Sequence, residues 1–450
     1  MTKGWKAFSP WRPPRALLLT IFLLVAYPAF FMACSVTEPE GHHWDGIDTY
    51  DGDKNVGDGK GSVLTEVRYL IAPASTATKA ESWWLVKRMD VFVFDDNAVQ
   101  SLDSYSRDYA YTTSSFTAAS SSGDKIIVAL ANSRLTNEDI ASVSVYEDLN
   151  RLRTRLSDET PEYPLMTGET RVCAGAEDEC TVVLYPMISE IRLSSLVCRM
   201  EGAYSGKSLE KVKAYLTNVS NSTEMMRWDG FRPSEILNQG RMSESDMQGM
   251  AYQRMLYNYI GNGVRTGNSY SYGSASLFCY PNDSREESAG SPFTTLVIEG
   301  TLDGRTCYYP IRINRKGYGH SVGVEGISRN AQYVINLTIT GPGSDDPDGE
   351  VPPNSTVTEG SMTLYPGNFI TGRDGEKIHV WVDVFPEETE VHIDEDDLYF
   401  DRERGIYDYE IDADGKGVWL TLLKGGAGAF IIDAGEPVND GLLVIIVVNP

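Results

Sequence analysis

Histidine is scarce, at five in 450 residues, and no basic run follows the N-terminal stub. Lysine and arginine number 39 against 64 acidic residues, a formal net charge of −25. A chain that acidic is repelled by phosphate backbones, which excludes nucleic acid as its main partner. No CxxC and no Cys/His set at zinc spacing occurs, so neither a metal nor any other cofactor is expected. Phosphate-cradling glycine loops and carboxylates paired for glycoside chemistry are also absent from the pattern, and no catalytic residue is assigned. What is present is 41% hydrophobic residues, 41 glycines and 25 tyrosines, the composition of a turn-rich β protein that folds. The length suits two or three domains.

Residues 1–15 carry Lys3, Lys6, Arg12 and Arg15 with no acid, and residues 16–33 are almost wholly apolar. A positive stub before an apolar run reads as an export signal, because the stub stays inside while the run enters lipid. The run ends Phe31-Met32-Ala33-Cys34. This resembles the lipobox of bacterial lipoproteins, which implies acylation of Cys34, palmitate included, and a precursor held on the outer membrane. A plain transmembrane anchor is the alternative. Residues 34–61 are acidic, with Gly, Thr and Pro, and contain His42-His43-Trp44; they read as a solvated tether.

From Ser62 onward short β runs follow one another. Met89–Phe94 alternates with a period of two, and Lys125–Leu130, Thr181–Leu184 and Ser189–Leu193 continue the series. Apolar residues from Ile140 to Leu156 fall at helical spacing, predicting one helix or a pair of turns, and a helical insertion is expected over 233–260. The stretch 341–353 scatters acids among Pro and Gly, predicting a linker, and about a hundred further residues are again β. The expected fold class is all-β with minor helices, as tandem β-sandwich domains of transthyretin-like or immunoglobulin-like type. The expected divisions are 62–195, 196–343, a linker at 344–357, and 358–450.

Apart from Cys34 the cysteines are Cys173, Cys180, Cys198, Cys279 and Cys307. Cys173 and Cys180 flank an apparent hairpin tip and Cys279 and Cys307 sit in neighbouring runs, so both pairs are candidate disulfides, with free buried thiols as the alternative. The segment Leu442–Val448 is uncharged and wholly β-forming. It is either a central strand of the last domain or one offered to another molecule, with Leu442, Val444, Ile446 and Val448 as its pocket-filling residues.

Met89–Asp95, Ile126–Ser133 and Tyr163–Glu169, followed later by Ile327–Tyr333 and Thr338–Gly341, resemble in order the motifs of fimbrillin-type (type V) pilus proteins. The resemblance spans roughly residues 62–343, and the extra domain after the acidic linker makes the chain look more like the accessory and tip subunits of such fimbriae. It implies a non-enzymatic, adhesive surface protein whose partners are other shaft and accessory subunits, a trypsin-like surface protease, and a ligand on host or bacterial surfaces. It further implies that the protease removes the first strand, here Val63–Ile71, after Arg68 or after Lys79, and that a neighbour's strand fills the gap. An outer-membrane lipoprotein that stays anchored and binds glycans is the competing expectation.

Three further patterns have plainer readings. Gly319-His320-Ser321-Val322-Gly323 matches a hydrolase elbow but lacks the strand before and the helix after it. Asp412-Ala413-Asp414-Gly415 and Asp394–Asp397 read as turns rather than calcium loops, because no twelfth-position Glu follows the first. Trp83-Trp84, Tyr270–Tyr272 and Trp381 could stack on sugars, but core or edge packing is the commoner use of such residues.

Overall fold

The computed structural model describes residues 63–72, 85–108, 115–177, 179–228, 230–283, 292–314, 326–349 and 357–449. The first region contains β1 (Val63–Ile71), β2 (Met89–Asp95), β3 (Leu102–Asp108), β4 (Ser115–Ser120) and β5 (Gly123–Ala131). A short helix α1 (Asn137–Ala141), β6 (Arg153–Arg155), β7 (Met166–Ala174) and β8 (Glu179–Pro186) complete it. Seven of these strands form one sheet in the order β3-β2-β5-β7-β8-β1-β4. Its centre is legible in the residues. In β2 the phenylalanines Phe92 and Phe94 enter one core and Val91 and Val93 another, so the strand is buried on both faces.

The second region runs β9 (Ser189–Cys198), β10 (Glu210–Thr217), β11 (Val219–Ser220), β12 (Ser222–Glu224), β13 (Ile236–Leu237), helix α2 (Glu244–Gly249) and β14 (Tyr257–Gly261). It continues with β15 (Val264–Thr266), β16 (Ser269–Tyr272), β17 (Ala275–Cys279), β18 (Thr295–Leu302), β19 (Arg305–Arg312) and β20 (Gln332–Ile339). The third region holds β21 (Val357–Tyr365), β22 (Phe369–Arg373), β23 (Lys377–Phe385), β24 (Val391–Ile393) and helix α3 (Glu395–Glu403). After them come β25 (Tyr407–Ile411), β26 (Gly417–Leu422), β27 (Gly426–Ala434) and β28 (Asp440–Asn449). The fold is all-β with a few short helices.

Strand pairing departs from the expected divisions in two places. β9 belongs whole to the second region, pairing in parallel with β20 and antiparallel with β16 and β17. The first sheet therefore ends at Pro186, not at residue 195. The second and third regions are also not separate sheets. One sheet runs β15-β16-β9-β20-β21-β23-β26-β25, with β20 and β21 antiparallel from Val334↔Met362 to Ile339↔Val357. The first part of the expected linker is packed: Ser344 exchanges backbone hydrogen bonds with Tyr308, and Gly343 lies so close to the Tyr308 carbonyl that a Cβ would overlap it. The four-stranded sheets β14-β10-β18-β19 and β22-β28-β27-β24 belong to the second and third regions, with the short pairs β11-β13 and β12-β6, the last joining the first region to the second.

The helices are shorter than their apolar spacing suggests. The 140–156 stretch is α1, a 3-10 turn, β6 and another 3-10 turn, and it packs Val143, Leu149, Leu152 and Leu156 into the core shared by the first two regions. Asp394–Asp397 is not a free acidic turn. Asp394 caps α3, its carboxylate accepting from the amides of Asp396 (3.0 Å) and Asp397 (3.3 Å). Asp412–Gly415 is the hairpin turn expected between β25 and β26, with Gly415 at φ +72°.

Between the first and second regions Glu159 is buried, accepting from the Tyr280 hydroxyl (2.7 Å) and the Leu165 amide (2.8 Å). Burial outweighs these donors and raises its carboxyl to about 7 from 4.5. The folded chain thus holds a proton that the unfolded chain has released, so this stability is full below about pH 4.5 and is lost as the pH climbs to about 7. Glu359, also raised to about 7 by burial, acts in the same window. Glu159→Gln is expected to remove about 3 kcal/mol of this pH-dependent loss. Denaturant midpoints at about pH 5 and about pH 8 measure it, and equal losses in wild type and variant would refute the assignment.

Candidate functional site

β1 is built from Val63, Leu64, Thr65, Glu66, Val67, Arg68, Tyr69, Leu70 and Ile71, a β-branched and aromatic run whose alternate residues turn inward. Thr65 and Val67 are fully buried, whereas Leu64 is 63% exposed and Arg68 pairs on the surface with Glu179 at 2.9 Å. Val67 enters a core made by Val91, Val93, Phe116, Ala118, Ile127, Val182 and Leu184. Tyr69 and Ile71 pack against that core from its edge, with the Tyr69 ring 6.5 Å from that of Phe116.

The strand sits between two neighbours of opposite sense. Val63–Arg68 pairs antiparallel with β4, and Glu66–Ile71 pairs in parallel with β8. Among the described residues β4 has no other ladder partner; beside β3, Ser104 donates to the Ala119 carbonyl, and just past β4 the Ser121 amide donates to Asp103 (2.7 Å). Taking β1 away would uncover one edge of β8, free β4 from its ladder, and open the pockets filled by Thr65 and Val67. Thr65 Oγ1 is buried with no hydrogen-bond partner, so the pocket it fills favours an apolar side chain of similar size.

Of the residues singled out from the sequence, Cys34 and Lys79 lie outside the described residues, as do Trp83-Trp84 and Gly319–Gly323. Arg68 lies within the β1 ladder, paired with both Ser115 and Thr181. Leu442, Val444, Ile446 and Val448 are buried in the core of the third region. Their strand, β28, is paired antiparallel with β27 and in parallel with β22, so it is an internal strand here and not a free donor. The candidate disulfides are not formed: all five described cysteines are free. Cys180 packs against the core that contains Val67, while Cys173 stands beside Asp124 on the opposite face of β7. Cys279 and Cys307 hang on different sheets, β17 on β9 and β19 on β18. Burial pushes the Cys279 and Cys198 thiols up to about 12. Among the described residues no group of His, Cys, Asp and Glu comes together as a metal site, and no helix is long and apolar enough to cross a membrane.

Tyr270 and Tyr272 donate their hydroxyls to the Gly206 and Leu209 carbonyls and so serve packing. Trp381 is stacked on Tyr365 at 4.3 Å between centroids. His379 is two residues before Trp381 on β23, but sequence reasoning did not bring Tyr365 to Trp381 or Trp419 to His379, because these come from β21 and β26, which become neighbours of β23 only in the folded sheet.

No protein-family model matches the chain. Over 173 residues it is 26% identical to the Major fimbrium subunit FimA type-5 of Porphyromonas gingivalis, a match covering 37% of this chain and 41% of that protein. The chain thus spans about two-fifths of the length of the curated relative it matches. Among solved structures, a fimbrilin of Porphyromonas gingivalis aligns with a TM-score of 0.47 at 17% identity, covering 66% of this chain and 96% of that one. A tip fimbrial protein of the same organism, truncated at its C-terminus, aligns at 0.38 and 13% over 67% of this chain and 98% of its own. At those scores the structural likeness transfers no role. The sequence match to a fimbrium subunit is what upholds the resemblance to fimbrillin-type proteins.

Proposed function

We propose that this chain is a non-enzymatic structural and adhesive subunit of a surface fimbria, joined to its neighbour by strand exchange at the site of β1. The observation that carries this reading is the setting of β1. It is the strand nearest the N-terminus among the described residues, and it lies between an antiparallel and a parallel neighbour with alternate side chains in a core. A donated strand would inherit its ladder hydrogen bonds and its pockets.

Magnitudes favour the exchange once β1 is lost. Val67, Tyr69 and Ile71 together contribute on the order of 5 kcal/mol by burial. That is comparable to the whole stability of an ordinary domain, about 5–15 kcal/mol. An empty groove in water would not persist, and a second strand is the natural occupant. Export as a lipoprotein acylated at Cys34, and cleavage by a trypsin-like protease, would supply the trigger. Between the two candidate bonds, Arg68-Tyr69 is held by pairing on both sides, which favours cleavage after Lys79. The internal place of β28 supports a tip or other terminal position, since that strand is already committed within its own domain.

Two measurements test this. Val67→Ala in the full chain is expected to lower stability by roughly 2 kcal/mol, read from the denaturant midpoint. A chain beginning at Ala80 is expected to melt well below the full chain, or to self-associate, and to regain its Tm on addition of a synthetic Val63–Ile71 peptide. The same peptide carrying Val67→Asp is expected to give no rescue. A truncated chain that is monomeric and fully stable without peptide would dispose of the reading.

A further inference from the structure

The outer face of the third region carries an arrangement that strand exchange at β1 does not use. β23, β26 and β25 run side by side, with β25 at the margin of the sheet among the described residues. Register places His379 opposite Trp419 and Trp419 opposite Glu410, so three side chains stand in a row on one face. The imidazole and indole rings are parallel, 4.4 Å apart at 8°. His379 is itself fixed, its Nε2 2.7 Å from Asp412 Oδ2 and its ring 5.2 Å from that of Trp381. Gly417 makes room for this pair, because a Cβ there would fall 2.2 Å from Asp412 Oδ2 and 2.8 Å from His379 Nε2.

Trp419 has no task in the core. Its neighbours Val418 and Leu420 point inward and are fully buried, while Trp419 is 44% exposed although one ring face is covered by His379. The other face looks along the row toward Glu410, an exposed carboxylate on the marginal strand. Asp408 and Asp412 flank it on the same strand and the turn that follows. Indole is the best aromatic partner for an ammonium or guanidinium group, and a carboxylate across the slot supplies the counter-charge. The chain makes the same kind of contact for itself nearby: Arg402 pairs with Asp408 at 2.9 Å and lies over the Tyr409 ring at 5.9 Å.

We propose that the slot between Trp419 and Glu410 receives a lysine or arginine side chain of a partner protein, carried on a basic segment running beside β25. The chain's net charge of −25 draws such a partner in, and the slot gives it register. A neutral glycan fits less well, because Tyr365 and Trp381 turn their ring faces on each other and offer no continuous open platform. The inference does not depend on strand exchange, since neither β1 nor β28 lines the slot.

The test is a titration of the full chain with hexa-arginine peptide, beside maltohexaose as a neutral glycan. Trp419→Ala and Glu410→Gln are each expected to weaken peptide binding about three- to tenfold. Glu201→Gln, which removes one exposed charge from the second region, is expected to change it by less than about twofold. Equal weakening in all three variants would reduce the effect to net charge and overturn the proposal, as would no weakening or no binding. Saturable maltohexaose binding that Trp419→Ala abolishes would overturn it in favour of a glycan. Glu410 is exposed, so its variant keeps the test valid should Trp419→Ala fail to fold.

Discussion

Arg329 holds the molecule at the place where its regions meet, and it does so without a carboxylate among its hydrogen-bond acceptors. Its guanidinium donates to the carbonyls of Tyr185 (2.6 Å), Pro186 (3.2 Å) and Arg227 (3.2 Å) and to the Thr167 hydroxyl (2.7 Å), and lies 4.1 Å above the Trp228 ring. Burial pulls its pKa down to about 9, yet the group remains charged at neutral pH. Removing it would strand several buried carbonyls, each costing about 1–3 kcal/mol. Pro186 ends β8 and Ser189 begins β9, so the contact grips the short joint where the chain leaves the first sheet for the long one. Tyr185 then reaches the third region, its hydroxyl 3.1 Å from Thr371 Oγ1.

From that joint the rest of the architecture follows. β9 is set against β20, β20 against β21, and the third region is continued from the second by backbone hydrogen bonds rather than hung on a tether. Arg192 and Ser194 of β9 also bond Asp440 at the start of β28, at 3.3 and 2.5 Å. β1 and β28 thus occupy equivalent settings, each with one antiparallel and one parallel neighbour and alternate residues in a core. They differ in how the chain attaches them. β28 follows its ladder partner β27 through the short turn 435–439, whereas neither ladder partner of β1, β4 or β8, adjoins it in the chain.

Much of this was legible from residue alternation. Met89–Asp95, the β5 core and the inward set of β28 announced themselves because a period of two and β-branched side chains coincide. Pairing was not legible. Ser189–Cys198 reads as a strand, but nothing local says that it leaves the first sheet for the second. Gly341–Gly349 has the composition of a linker, yet Gly343 is needed for its small size against Tyr308. Apolar spacing over 140–156 imitated a helix because successive turns face the same core. In α3 the acidic opening that resembled a loose turn is a cap and first helical turn, with Arg402 in the last turn as its counterpart. The candidate disulfides failed on facing, since strand neighbours in sequence stand on opposite sides or in different sheets.

The unbroken sheet bears on how such a molecule would withstand pull. Six residue pairs join β20 to β21, so a load passing between the last region and the second crosses a hydrogen-bonded ladder. Under traction the third region would therefore move with the second as one body rather than swing about a hinge.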